Sequence, residues 1–188
     1  MTQMAKEVLS EKRFTHSLNV AKAAQELAEF NHCDIEKAYI AGLLHDITKE
    51  LPIEEQLKLL QIGNIELTEA EKASPALWHS TTAAVYAKEN LGIEDEDILN
   101  AIRYHTSGRA GMSTLEKVIY LADSISEERH YHDVDEVRAA AKRNLNEGVM
   151  RKLKFAINAL TAKDRPICSN TIDAYNELIL KQNNERTK

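Results

Sequence analysis

The stretch Ser113-Thr114-Leu115-Glu116-Lys117-Val118-Ile119-Tyr120-Leu121-Ala122-Asp123-Ser124-Ile125 decides how this chain folds. Leu115, Val118, Ile119, Ala122 and Ile125 recur every three or four residues, which lays apolar side chains along one stripe of an α-helix. Ser113 or Thr114 supplies the N-cap. One residue breaks the pattern. Asp123 lies four after Ile119 and directly after Ala122, so it points inward, where an unpaired carboxylate is costly.

The same period recurs on either side. Ser10 caps a helix carrying Phe14, Leu18 and Ala21 on one stripe and Val20, Ala24 and Leu27 on the next. Asp34 caps a helix expected to reach about Ile47, and Pro52 starts a short one that Gly63 ends. Ser74-Pro75 opens a helix closing near Gly92, and another spans about Asp95 to Tyr104. After a polar break, Glu127 to Asp133, one long helix is expected to end near Leu160, and a last one covers about Thr171 to Lys181. The spacing predicts an all-α bundle of about eight helices, forming one domain over residues 1–188. Six Gly and three Pro in 188 residues are too few turns for a β-sandwich.

Composition narrows the function. A net charge of −6, from 24 Lys+Arg against 30 Asp+Glu, disfavours nucleic-acid binding. A phosphorylated small molecule would need local positive charge, which metal ions supply. Cys33 and Cys168 form no CxxC pair and fit a reducing compartment. No apolar N-terminal run or membrane-length segment is present, so the expected location is cytoplasmic, without membrane contact. No GxxxxGK[ST] loop is present, and Gly108-Arg109-Ala110-Gly111 is too short for a dinucleotide fingerprint. The acidic runs Glu94–Asp97 and Glu127-Glu128 read as solvated faces, and Trp78 as core.

The chemistry-bearing residues are four histidines and two aspartates: His16, His45, Asp46, His79, His105 and Asp123. On helical spacing His16 shares a face with Val20, Ala23 and Leu27; His79 with Ala76, Ala83 and Tyr86; and His105 with Ile98, Ala101 and Ile102. Any one buried imidazole is ordinarily a hydrogen-bonded core residue. Four with two inward carboxylates in one small bundle call for a cation. Imidazole and carboxylate without thiolate suit Fe, Mn, Co or Zn. A carboxylate can bridge two ions, so Asp46 is the natural bridge if the site is dinuclear; one ion and two both stay open.

The ordered set His16…His45-Asp46…His79…His105…Asp123 resembles the H…HD…H…H…D pattern of the HD-domain metallophosphohydrolases. The phrases Arg13-Phe14-Thr15-His16-Ser17 and Ala41-Gly42-Leu43-Leu44-His45-Asp46-Ile47-Thr48-Lys49 are similar to its YqeK-like branch of symmetrical diadenosine tetraphosphate hydrolases, which hold iron. The resemblance covers nearly the whole chain.

It implies a primary metal on His16, His45, Asp46 and Asp123, with His79 and His105 holding a second metal or meeting phosphate. The metal would be iron, with Mn2+ or another divalent ion as alternatives. Asp46, Lys49, His79 and His105 would carry the chemistry, with Ile47 and Thr48 beside them at the substrate. Thr106, Gly108 and Arg109 would hold phosphate oxygens with Arg129. Ser169, Asn170 and Thr171 would meet the nucleotide, the C-terminal helices completing its pocket. The implied reaction is attack of metal-activated water on a phosphorus of diadenosine tetraphosphate, giving two ADP. Asp46 or Asp123 would orient or deprotonate that water. Two alternatives stand beside it: an HD-domain hydrolase of another nucleotide, such as a nucleoside monophosphate or a guanosine alarmone, and a metal- and nucleotide-binding module without turnover. A homodimer stays open.

Overall fold

The computed structural model describes residues 1–186, so the last two positions of the expected 1–188 unit lie outside the described residues. The described residues form eleven α-helices and one 3-10 turn: α1 (Thr2–Val8), α2 (Glu11–Phe30), α3 (Ile35–Leu44), α4 (Ile53–Ile62), α5 (Glu69–Lys72), the turn Pro75–Leu77, α6 (Trp78–Leu91), α7 (Glu96–Arg103), α8 (Thr114–Ile125), α9 (Val134–Arg143), α10 (Leu145–Thr161) and α11 (Ser169–Arg186). The fold is all-α as expected, and no described helix is long and apolar enough to cross a membrane.

The count exceeds eight for identifiable reasons. Asn144 divides the expected long helix in two: its backbone is extended, and its side chain accepts from the amides of Asn146 and Glu147, capping α10. Thr68 and Glu71 close a reciprocal capping box around the four-residue α5. α1 has no side-chain cap and buries only Ala5, so it leaves little periodic signal. α3 stops at Leu44, three residues short of Ile47. α11 runs longer than 171–181 at both ends.

α8 is the central helix. It packs against α2, α3, α7, α9 and α10, and Tyr120 and Leu121 are buried together with the Leu115–Ile125 stripe. A helix covered on most sides must be apolar nearly all round. Its N-cap Ser113 forms the capping box with Glu116. α2 and α3 pack tightly at Gly42, where a Cβ would lie 2.8 Å from the Ala21 Cα. That backbone contact brings the first half of α2 beside the end of α3. It thereby sets His16 near His45.

Candidate metal and phosphate centre

The six residues come from helix ends. His16 lies in the second turn of α2, His45 caps α3, His79 is the second residue of α6, His105 follows α7 by two residues, and Asp123 sits in the last turn of α8. All four histidines and Asp46 are buried. Three of the imidazoles bond carbonyls three residues back, two of them in the last turns of α3 and α7, where carbonyls lack intrahelical donors. His45 Nδ1 donates to Gly42 O, His79 Nδ1 to Ala76 O and His105 Nδ1 to Ile102 O, each at 2.7 Å. A carbonyl only accepts, so each Nδ1 carries a hydrogen and each Nε2 of the neutral ring presents a lone pair.

Those lone pairs converge on Asp46. Its Oδ2 lies 3.7 Å from His16 Nε2 and 3.5 Å from His45 Nε2. Asp123 Oδ1 closes this side, 3.4 Å from His16 Nε2 and 4.0 Å from His45 Nε2. The other oxygen, Asp46 Oδ1, lies 3.1 Å from His79 Nε2 and 3.5 Å from His105 Nε2. His79 Nε2 and His105 Nε2 are themselves 3.2 Å apart. Donor atoms about 2.0–2.2 Å from one first-row ion stand roughly 3–3.5 Å from each other. The buried His16 Nε2, His45 Nε2 and Asp46 Oδ1 have no hydrogen-bond partner, and leaving such atoms bare costs roughly 1–3 kcal/mol each. The donor set therefore fits a divalent cation. His16, His45 and Asp123, and His45, Asp46 and His105, form two groups able to hold one.

The electrostatics agree. Burial opposes charge on Asp46, but the charge of a protonated His45 outweighs it and holds the carboxyl below its ordinary range. Asp123 is likewise held well below it, burial being outweighed by His16 and Lys152. Burial disfavours charge on His45 too, yet Asp46 and Asp123 lift its pKa above the usual value. His105 is pushed down to about 4 by burial. The cluster holds two fixed negative charges and favours a cation between them.

Four side-chain cations surround the carboxylates. Arg13 Nη1 donates to Asp46 Oδ2 at 2.8 Å. Lys49 Nζ lies 2.9 Å from His79 Nε2 and 3.9 Å from Asp46 Oδ1. Arg129 Nη2 donates to Asp123 Oδ1 at 2.6 Å. Lys152 Nζ lies 3.9 Å from Asp123 Oδ2, and burial lowers its pKa to about 8. This is the local positive charge that a net-acidic protein needs to hold phosphate.

The other expected residues have the following partners. Ile47 and Thr48 are buried, and the Thr48 hydroxyl donates to His79 O at 2.9 Å. It anchors the turn to α6 rather than facing an open site. The Arg109 guanidinium forks onto Glu116 at 2.7 and 2.6 Å and lies over the Tyr104 ring, so it braces its loop. Gly108 takes a left-handed φ of +63° that turns the chain after His105. Thr106 and Asn170 line a narrow cleft beside that turn. Thr171 Oγ1 donates to Ser107 O at 2.9 Å, and Ser169 opens α11 at the exposed rim.

Three residues escaped the sequence reading. Arg13 precedes His16 by one helical step, a spacing that carries the signal. Lys152 lies on the α10 face of Val149 and Ala156, where a cation is conspicuous. Glu128, read as solvated, bonds His16 Nδ1 and accepts from Asn19 Nδ2 and Ser126 Oγ at 2.9 Å each; it lies in irregular chain, where no period reveals it. Asp95 and Asp97 also have structural roles, Asp95 capping α7 and Asp97 accepting from Ser113 Oγ. Trp78 is core, its Nε1 donating to Glu71 O.

The HD domain family model matches residues 13–128, the segment that supplies all six converging residues. The chain is 40% identical to the symmetrical bis(5'-nucleosyl)-tetraphosphatase of Bacillus subtilis, over 93% of each chain. It is 38% identical to the enzyme of the same name from Halalkalibacterium halodurans, over 96% of each. The crystal structure of a protein from Clostridium acetobutylicum, described as a predicted HD superfamily hydrolase involved in NAD metabolism, superimposes with a TM-score of 0.92 at 40% identity, covering 96% of this chain and 95% of that one. With a family match over more than half its length and relatives similar nearly end to end, the chain belongs to the HD-domain family.

Proposed function

We infer that this protein hydrolyses dinucleoside polyphosphates, cleaving diadenosine tetraphosphate symmetrically into two ADP. The observation that carries the reading is the assembly of the four histidines around the Asp46 carboxylate, with Asp123 against two of them, in a chain 38–40% identical to symmetrical tetraphosphatases.

His16, His45, Asp46 and Asp123 would hold a divalent metal ion. His79 and His105, facing the second oxygen of Asp46, would hold another or meet a phosphate oxygen. Iron is the ion proposed, with manganese as the alternative. Such an ion supplies a Lewis acid and a nucleophilic water at neutral pH. The remaining work falls to the chain. Asp46, its carboxyl held below the ordinary range, faces both halves of the histidine cluster as an anion, and it or Asp123 would orient or deprotonate the water. Lys49, whose Nζ sits beside His79 and Asp46, donates to a phosphoryl oxygen as charge builds there. Arg129 and Lys152 balance charge on the Asp123 side. Thr106 and Asn170, at the narrow cleft beside the His105 turn, would meet one nucleotide, with Thr171 tying α11 to that turn through Ser107 O, so that α11 would complete the site as part of a single unit with the helices before it.

Hydrolysis in 18O-labelled water with mass analysis of products tests the reading. Two ADP are expected. An AMP and ATP pair contradicts symmetrical cleavage, and turnover of a guanosine alarmone or a nucleoside monophosphate in its place contradicts the substrate class.

A further inference from the structure

A substrate with two nucleosides needs two places for them, and the reading above puts one beside the turn after His105. On the Asp123 side the structure has a second cleft, of about 490 Å³, lined by Asp123, Arg129, Tyr131, Lys152 and Phe155 among others. That size lies within the range of about 300–1,000 Å³ typical of small-molecule sites. The cleft begins at the metal and phosphate centre itself, because Asp123 belongs to both. Its wall carries Tyr131 and Phe155 stacked with ring centroids 5.6 Å apart and planes 28° from parallel. Phe155 is 62% exposed on α10, so its ring is open to a ligand in the cleft.

We propose that this cleft binds the second nucleoside of the dinucleotide, its purine stacked on the Tyr131–Phe155 platform. Arg129, whose Nη2 donates to Asp123 Oδ1, and Lys152, 3.9 Å from Asp123 Oδ2, line the cleft with Asp123, where the phosphate that joins that nucleoside to the scissile bond would meet them. Every nucleobase offers a π face, so such a platform binds bases with little regard to identity. The acidic residues of the rim do not oppose this: Glu136 is paired with Arg151 at 3.0 Å, and Asp133 with His132. The inference rests on the dinucleotide reading above and adds where the second base lies.

The test compares wild type, Phe155→Ala, Tyr131→Ala and a control, Phe30→Ala, which removes an exposed ring away from the cleft. The measured quantity is the kcat/KM for diadenosine tetraphosphate divided by that for adenosine 5′-tetraphosphate, which lacks the second base. Stacking of the usual strength predicts about a tenfold fall in this ratio for each platform variant and no change for Phe30→Ala. A purely structural role lowers both rates together and leaves the ratio fixed, which overturns the proposal. If wild type makes no ADP from diadenosine tetraphosphate, the dinucleotidase reading fails instead. Calorimetric binding of diadenosine tetraphosphate to wild type and Phe155→Ala then decides separately: about tenfold weaker binding sustains the cleft, and equal affinity rejects it.

Discussion

His79 Nε2 and His105 Nε2 face each other at 3.2 Å, although each ring has already given its Nδ1 hydrogen to a carbonyl three residues back. Two lone pairs this close, with a carboxylate oxygen 3.1 Å from one of them, are stable only around a positive charge. The Lys49 ammonium beside His79 supplies part of it. Repulsion among these groups organises the site as much as attraction does.

Lys49 cannot coordinate a metal while protonated, so its removal separates catalysis from metal assembly. Lys49→Ala is expected to keep its fold and metal content while kcat falls about 10- to 1,000-fold. Unchanged kinetics would make Lys49 a bystander. Loss of metal would place it in building the ion site instead.

Glu128 bonds the ring nitrogen of His16 that faces away from the carboxylates. Removing such an outer partner typically costs about 10- to 100-fold in metal affinity. Glu128→Ala should show that loss in a chelator competition with unchanged helix content, and undiminished affinity would leave His16 oriented by packing alone.

Gly42 shows why the fold was more legible than the site. Helices α2, α3, α7 and α8 announced themselves through the apolar period and the caps Ser10, Asp34 and Ser113. The His/Asp set was legible because an inward carboxylate such as Asp123 contradicts its own stripe. Glu128 and the Tyr131 wall lie in irregular chain, where no period operates. The division of α9 from α10 rests on one residue, Asn144, whose capping competes with a continuous helix. The close approach at Gly42 depends on which helices meet, and local sequence does not contain that.

A methyl group at position 42 would reach 2.8 Å from the Ala21 Cα, a backbone atom that cannot rotate away. Gly42→Ala gains helix propensity worth up to about 1 kcal/mol, but forcing α2 from α3 costs about 1–3 kcal/mol. The net expectation is destabilisation in urea unfolding and weaker metal binding, since His16 and His45 ride on these two helices. A variant as stable as wild type would show that the two helices separate freely.

Metal retention should follow the histidines in pH. The Asp46 and Asp123 carboxyls are held below their ordinary range, whereas the His45 pKa is raised. A proton on His45 competes with the metal, so affinity is full above that raised value and falls below it. Each competing proton lowers affinity about tenfold per pH unit. Metal content across a dialysis series from pH 8 to 5 checks this. Retention unchanged down to pH 5 would exclude His45 from the ion site.

The central claim is that one carboxylate, Asp46, joins metal binding to hydrolysis, because its two oxygens face the two halves of the histidine cluster. The most direct measurement is metal content by elemental analysis, alongside ADP release from diadenosine tetraphosphate, for wild type and Asp46→Ala purified in parallel. The account predicts that Asp46→Ala remains folded by circular dichroism and loses its metal and its ADP production together. Metal-free Asp46→Ala protein that turns over at the wild-type rate would contradict it.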